Sequence, residues 1–168
     1  TNFGSNPYLF VESRTNGGPR VSDVKFDLSE IPAGSTINNA LFKIYVYGRI
    51  GVNYLFLGTV DNLWNEETIT WNNNPGLSSN LGYIYVSGTY RWYSFDVTSN
   101  VQNALGGALS INMMSEDGSG TIFMYSKEMG FNTPTLAIEY YGLTPLNNPP
   151  KAEAGGPYSG NINEPITF

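Results

Sequence analysis

The sequence predicts an all-β chain: an antiparallel, jelly-roll-like sandwich with one short helix and a short extended tail at its C-terminal end. Apolar residues recur with a period of two in segment after segment, the pattern of strands buried on one side. Clusters of Gly, Pro, Asn and Ser interrupt these segments at intervals of roughly ten to fifteen residues, the spacing of turns in sandwiches and barrels. The chain is 40% hydrophobic but only 13% charged, and its polarity comes from Asn, Ser, Thr, Gly and Tyr.

Three segments carry the alternation best. In ALFKIYVY, 40–47, Phe42, Ile44 and Val46 share one face, and Leu41, Lys43, Tyr45 and Tyr47 the other. In RWYSFDV, 91–97, Tyr93, Phe95 and Val97 point inward, Trp92 and Ser94 outward. In TLAIEYY, 135–141, Leu136, Ile138 and Tyr140 face one way, Ala137, Glu139 and Tyr141 the other. Further strands are expected at 8–12, 20–27, 53–60, 68–71, 83–87, 108–115 and 121–126. Between 95 and 107, FDVTSNVQNALGG reads as a helix of about two turns, with Asp96 or Thr98 as N-cap and Gly106-Gly107 as the stop; it should close one end of the sandwich as a crossover. The sandwich is expected to end at 142. Residues 143–150, with Pro145, Pro149 and Pro150, read as a semi-rigid linker, and 151–168 as a segment too short to bury a core of its own.

Composition excludes several functions. With neither Cys nor His, the chain has no thiol chemistry, no Cys/His zinc site and no Ser-His-Asp arrangement. A net charge of −6 opposes nucleic-acid backbones and anionic membranes, and no run of eighteen apolar residues provides a membrane span. The low charge suits hydroxyl-rich partners or close neighbours instead. The abrupt ends, TNFGSNPYLFVE and NEPITF, read as those of a piece of a longer secreted or cell-surface protein.

Four blocks occur in order: VKFDLSEIPAGSTINNALFKIYV (24–46), WNEETITWNNNP (64–75), YSFDVTSNVQNAL (93–105) and MYSKEMGFNTPTLAIEYY (124–141). Together they resemble a DNRLRE-type domain, similar to the repeats that accompany the disaggregatase of methanogenic archaea and overlapping alginate-type carbohydrate-binding modules. The resemblance covers about residues 1–142 and implies an archaeal cell-surface module in contact with polysaccharide. The tail from 147 resembles the opening of a polycystic-kidney-disease (PKD) repeat, an immunoglobulin-like spacer. Two departures stand out: Lys25 replaces the Arg expected before FDLS, and the strand that usually precedes the NFGS turn is missing, which implies an open strand position in the sheet.

The stretch WNEETITWNNNPG, 64–76, holds an acid pair between two tryptophans. Glu66 and Glu67 are adjacent, so an extended chain points them to opposite faces, and they cannot flank a glycosidic bond the way paired carboxylates do. Trp71 is expected as a core anchor and Trp64 as a plug over a strand end; one of the two stacking on a sugar is the alternative reading. Asn72 to Pro75 should turn the chain. Tyr45, Tyr47 and Trp92 lie on the face opposite the core, where water is expected. With Trp64 they are the candidate carbohydrate-binding residues, the alternatives for that face being a covering loop or a subunit contact. A structural calcium would use Asp27, Asp96 or Asp117, although Asp27 and Asp96 suit amide capping and Asp117-Gly118 a hairpin tip. Lys127-Glu128 makes a poor acid/base pair. The expected function is therefore non-enzymatic, a structural or adhesive surface module. A rival is a self-assembling subunit of a filament, sheath or surface layer, in which tail 151–168 completes a neighbour's sheet and builds a homo-polymer, and a polysaccharide-degrading enzyme is the minor alternative.

Overall fold

The computed structural model describes residues 4–13, 19–51, 53–115 and 120–142. These form two antiparallel sheets packed face to face. Their strands are β1 (Tyr8–Ser13), β2 (Ser22–Asp27), β3 (Thr36–Ile50), β4 (Tyr54–Val60), β5 (Leu77–Tyr85), β6 (Arg91–Asp96), β7 (Ala108–Met114), β8 (Gly120–Tyr125) and β9 (Thr135–Tyr141). The first sheet runs β1-β8-β3-β6, with β9 also paired to β3; the second runs β2-β7-β4-β5. The chain alternates between the sheets in the manner of a jelly roll, so the expected fold is the observed one.

The alternation read in the sequence sets what is buried. Ala40, Phe42, Ile44 and Val46 of β3 are wholly buried, facing Leu55, Leu57, Ile111 and Met113 of the second sheet through one continuous core. Fully burying a side chain of this size stabilises by about 1.5–3 kcal/mol each, which is what holds the two layers together. The other face of β3 carries Lys43, Tyr45 and Tyr47, only half-buried. At Val46–Gly48 the register with β8 slips by one, making Tyr47 the extra residue of a bulge. Gly48 is needed beside it, since a Cβ there would lie 3.2 Å from the Phe123 ring.

The helix α1 (Thr98–Asn103) connects β6 of the first sheet to β7 of the second, as expected of a crossover. The N-cap of this helix is Val97, without a side-chain cap, rather than the expected Asp96 or Thr98; Asp96 instead accepts a hydrogen bond from the Thr98 amide at 2.9 Å, and the Thr98 hydroxyl accepts one from Ala40 N at 2.9 Å, tying the helix start to β3. Among the described residues no helix is long and apolar enough to cross a membrane.

Three expectations fail. Residues 68–71 form no strand: the backbone turns at Asn65, whose carbonyl receives Thr68 N and Ile69 N, and a 3-10 helix follows at Trp71–Asn73. Trp71 is therefore no core anchor and stands 59% exposed. The strand expected at 83–87 begins six residues earlier and ends at Tyr85. The hairpin tip at Asp117-Gly118 and all of 143–168 lie outside the described residues.

Asp96 and Asp27 have pKa values below the ordinary 3.8, because each carboxylate accepts hydrogen bonds from a residue two positions on, Thr98 and Ser29 respectively. Such a group stabilises the fold above its unfolded value, and the contribution is lost as pH falls through the lower folded value. An Asp96→Ala variant should therefore melt below the parent at pH 7, with the gap closing in thermal scans taken progressively below pH 3.8. A gap that is unchanged at pH 2 would remove the Asp96–Thr98 hydrogen bond from the account.

Candidate functional site

The outer face of the first sheet gathers aromatic residues from four strands. Antiparallel register sets Tyr45 of β3 opposite Trp92 of β6, and Tyr8 of β1 opposite Tyr125 of β8. Because β8 lies between β1 and β3, the side chains run as a row across the sheet. The Tyr125 ring stacks on Tyr45 (5.5 Å between centroids, 9° between planes) and on Tyr47 (4.7 Å, 16°). Trp92 meets Tyr45 edge to face at 5.5 Å, and Tyr8 leans on Tyr47 at the same distance. The inner tyrosines thus spend their ring faces on one another and turn edges and hydroxyls outward. Trp92 and Tyr8, at the two ends, are each 41% exposed and keep ring surface for a ligand. Burial, and after it the neighbouring phenols, raises the Tyr47 pKa above the usual tyrosine value, so its hydroxyl remains a neutral donor and acceptor.

Beside Trp92 the surface dips into a hollow of about 470 Å³ lined by Lys43, Trp92, Tyr93, Ser94 and Thr135. Lys43 pairs in register with Ser94 on one side and with Thr135 on the other, so its ammonium stem stands between two hydroxyl residues. The remaining described cations have partners: Arg20 pairs with Glu12, Lys25 with two carbonyls, Arg49 with Asn53, and Lys127 with Glu66 and Glu128, while Arg91 lies over Tyr93. Asp96, two residues beyond Ser94, is turned to the Thr98 amide. Lys43 is left as a cation with polar neighbours and an indole at its side, a set suited to a sugar bearing a negative substituent.

The sequence reading brought Tyr45, Tyr47 and Trp92 to one face, and the structure gathers them. It missed Tyr8 and Tyr125, which join only through strand pairing. It also missed Tyr90, 72% exposed at the turn before β6 and held at φ 56°, a left-handed backbone uncommon for a bulky residue and frequent near functional surfaces. On the second sheet, Tyr54, Tyr83 and Tyr85 form a smaller exposed patch that alternation in 77–85 could have signalled.

Trp64 lies apart from the row. The segment 61–76 crosses the outer face of the second sheet, where Trp64 Nε1 donates to Ser110 Oγ at 3.0 Å. Lys25 Nζ sits 4.5 Å above the Trp64 ring and donates to the carbonyls of Asn62 (2.9 Å) and Trp64. Lys25, at the position where the resemblance expects Arg, is thereby an anchor for this segment. Beneath it the Asp23 carboxylate accepts from Asn112 Nδ2 at 2.7 Å and Asn74 Nδ2 at 2.8 Å, and its burial raises its pKa against the pull of those two amides.

Lys127 Nζ lies 2.9 Å from both Glu66 and Glu128, whose hydrogen bonds raise its pKa above the usual lysine value and favour the protonated amine. Among the described residues no three acidic side chains gather as a metal site; Asp27 and Asp96 cap amides instead, and Asp117 lies outside the described residues.

The family model for carbohydrate-binding module family 96 matches residues 1–140. Two curated relatives are similar to the chain: tRNA nuclease WapA of Bacillus subtilis strain 168 and tRNA(Glu)-specific nuclease WapA of Bacillus subtilis subsp. natto strain BEST195. Each is 27% identical over 145 residues, which cover 82% of this chain and 6% of the relative. The chain thus spans a small fraction of the length of these relatives.

Replacing Lys25 by Met should cost about 2–3 kcal/mol in urea unfolding, because two carbonyls lose a charged donor, while Lys25→Arg should recover most of that loss. Glycan binding by the Met variant, measured well below its melting temperature, should equal the parent's. A selective loss of binding without loss of stability would make Lys25 a ligand contact.

Proposed function

The chain belongs to carbohydrate-binding module family 96, and from that premise we propose that it is a non-catalytic module of a larger secreted or cell-surface protein that holds a polysaccharide chain across the outer face of the first sheet. The observation that carries this reading is Lys43 in its hollow, without an ion-pair partner among the described residues and flanked by Ser94, Thr135 and the exposed Trp92, at one end of the tyrosine row. In the proposed arrangement a pyranose stacks on Trp92, its carboxylate or sulfate meets Lys43, and the next sugars follow the row, taking hydrogen bonds from phenolic edges towards Tyr8. Adjacent strands are about 4.8 Å apart, so four strands offer a track of roughly 15 Å, room for a few sugars. The shallow, mostly neutral surface suits a repetitive chain better than a small molecule.

The similarity to the opening of a PKD repeat supports reading 151–168 as the start of a spacer domain that carries this module away from a surface. The tRNA in the names of the Bacillus relatives is not carried over, since a net charge of −6 opposes polyphosphate binding.

Binding of acidic and neutral polysaccharides to the intact chain, measured by calorimetry or affinity electrophoresis, tests the site. Trp92→Ala should weaken binding at least about tenfold, equivalent to about 1.4 kcal/mol. Lys43→Met should weaken acidic polysaccharides only, and added salt should mimic it by screening the same contact. A parent that binds no polysaccharide removes the proposal; a parent that binds while both variants bind equally well moves the site elsewhere.

A further inference from the structure

A cleft of about 860 Å³ lies where β1 of the first sheet and β2 of the second come together. At one end the two strands are joined: Glu12 and Arg20 exchange backbone hydrogen bonds of 3.0 and 2.8 Å, and Ser22 Oγ donates to the Phe10 carbonyl at 3.0 Å. Past that join β1 pairs with β8 and β2 with β7, and the gap between them is lined by Leu9, Val24 and Phe26, which pack on the core yet are only partly buried. The segment 64–74 arches over the gap. It starts at Trp64, held by Lys25 and Ser110, and returns to the second sheet where Asn74 Nδ2 donates to Asp23 at 2.8 Å. Between those feet Glu66 reaches the first sheet, ion-paired with Lys127 at 2.9 Å and packed so tightly on Gly4 that a Cβ there would lie 2.6 Å from the Glu66 carbonyl oxygen. Among the described residues the cleft is thus tied across at both ends.

The arch carries Trp71 into the lining. Its indole is 59% exposed, and among the described residues no other ring and no cation lies on it, whereas Trp64 has Lys25 over its face and its Nε1 on Ser110. The turn beneath Trp71 is fixed: Asn73 Oδ1 accepts from both Thr70 N and Thr70 Oγ1, and Asn73 Nδ2 donates to the Thr68 carbonyl at 3.1 Å. An open aromatic face is therefore held in place before any ligand arrives, which spares the entropy of ordering it on binding. Asp23 lies on the β2 wall. Each of its carboxylate oxygens accepts one amide, from Asn112 and from Asn74, and each keeps a lone pair for a further donor. The charges of the lining are otherwise spent within the protein: Arg20 on Glu12, Lys25 on two carbonyls, and Lys127 on Glu66 and Glu128. They come close to balance, so the cleft offers an anionic ligand no free cation.

We propose that this cleft is a second sugar site, which takes the end of a neutral glycan: one pyranose stacks on Trp71 and its hydroxyls donate to the Asp23 carboxylate. The volume is that of pockets that bury a ligand of a few rings, about 300–1,000 Å³. A space tied across at both ends gives the interior of a long polymer no way through, so a chain end or a short oligosaccharide fits where a continuous strand of sugars does not. Hydroxyls are neutral donors, the kind that Asp23 can still accept and that a balanced set of charges does not repel. The tyrosine row differs on each count, being a shallow surface with Lys43 beside it. The inference shares the premise that the chain binds carbohydrate but does not use the row, and either site can fail while the other stands.

The test uses the full chain, with short neutral oligosaccharides of glucose, mannose, galactose and xylose as probes. A probe that binds should change tryptophan fluorescence and shift the Nε1 resonance of Trp71 while that of Trp92 stays in place. Trp71→Ala should weaken this binding at least about tenfold and Trp71→Phe by less. The Ala variant should keep the parent's melting temperature, since the side chain is mostly exposed, and its affinity for acidic polysaccharides. Trp92→Ala should leave the oligosaccharide affinity unchanged. At equal mass, a neutral polysaccharide cut into fragments should compete for the cleft better than the intact polymer, because cutting multiplies ends. A parent that binds none of the probes overturns the proposal, as does binding lost equally on Trp92→Ala, or an intact polymer that competes as well as its fragments. Where Trp71→Ala lowers the melting temperature, the parent's resonances decide: a probe that moves Trp92 and not Trp71 overturns the assignment.

Discussion

Everything in this fold depends on the register of β3. Its fifteen residues pair with β6 along one edge and with β9 and then β8 along the other, so a single strand organises the whole first sheet. Its period of two buries Ala40, Phe42, Ile44 and Val46 completely and sends Lys43, Tyr45 and Tyr47 outward. A slip of one residue would bring a cation and two phenols into the core and expose four apolar side chains, at a cost of several kcal/mol, so the register is held firmly. The candidate site inherits that firmness. Tyr45 and Lys43 are held where they are because their neighbours in sequence are trapped on the other face, and the bulge at Tyr47 turns that ring onto Tyr125.

The two outer faces have been treated differently. On the second sheet the segment 61–76 lies across β2 and β7, leaving Ser110 and Asn112 buried although they point away from the core. Polar residues under a loop need partners: Ser110 accepts from Trp64 Nε1, and Asn112 donates to Asp23, which also accepts from Asn74. The first sheet has its tyrosine row on the corresponding face, accessible at both ends through Trp92 and Tyr8. A covering loop was one way to explain aromatics on the outside of a sandwich; on the second sheet the covering segment lies over polar residues and leaves Tyr54, Tyr83 and Tyr85 exposed, and the aromatics of the first sheet also remain at the surface among the described residues.

The sandwich itself was legible because strand alternation is a local property: 40–47, 91–97 and 135–141 behave as read. The stretch WNEETITW misled for a related reason. Its Thr-Ile-Thr-Trp pattern alternates like a strand, but the side chains of Asn65 and Asn73 capture the amides of Glu67 and Thr70 and bend the backbone into turns, which places Trp71 outside the core. Local hydrogen bonds outweighed periodicity there. Tyr8 and Tyr125 were illegible for the opposite reason, since only pairing between strands far apart in sequence sets them beside Tyr45 and Tyr47. The hollow at Lys43 likewise needs three strands, β9, β3 and β6, before a cation and two hydroxyls become neighbours.

On the proposed reading, a shallow aromatic row with one cation would bind any single stretch of polymer weakly, because most of its ring faces are already spent on one another. Affinity for a repetitive ligand then has to come from repetition of the site. When binding modules are linked, each engaged site raises the effective concentration of the polymer at the next, and avidity can exceed the single-site affinity by about two to four powers of ten without a new contact. The low charge of the chain leaves Lys43 as a local electrostatic feature of a surface whose other described cations are engaged with the protein itself.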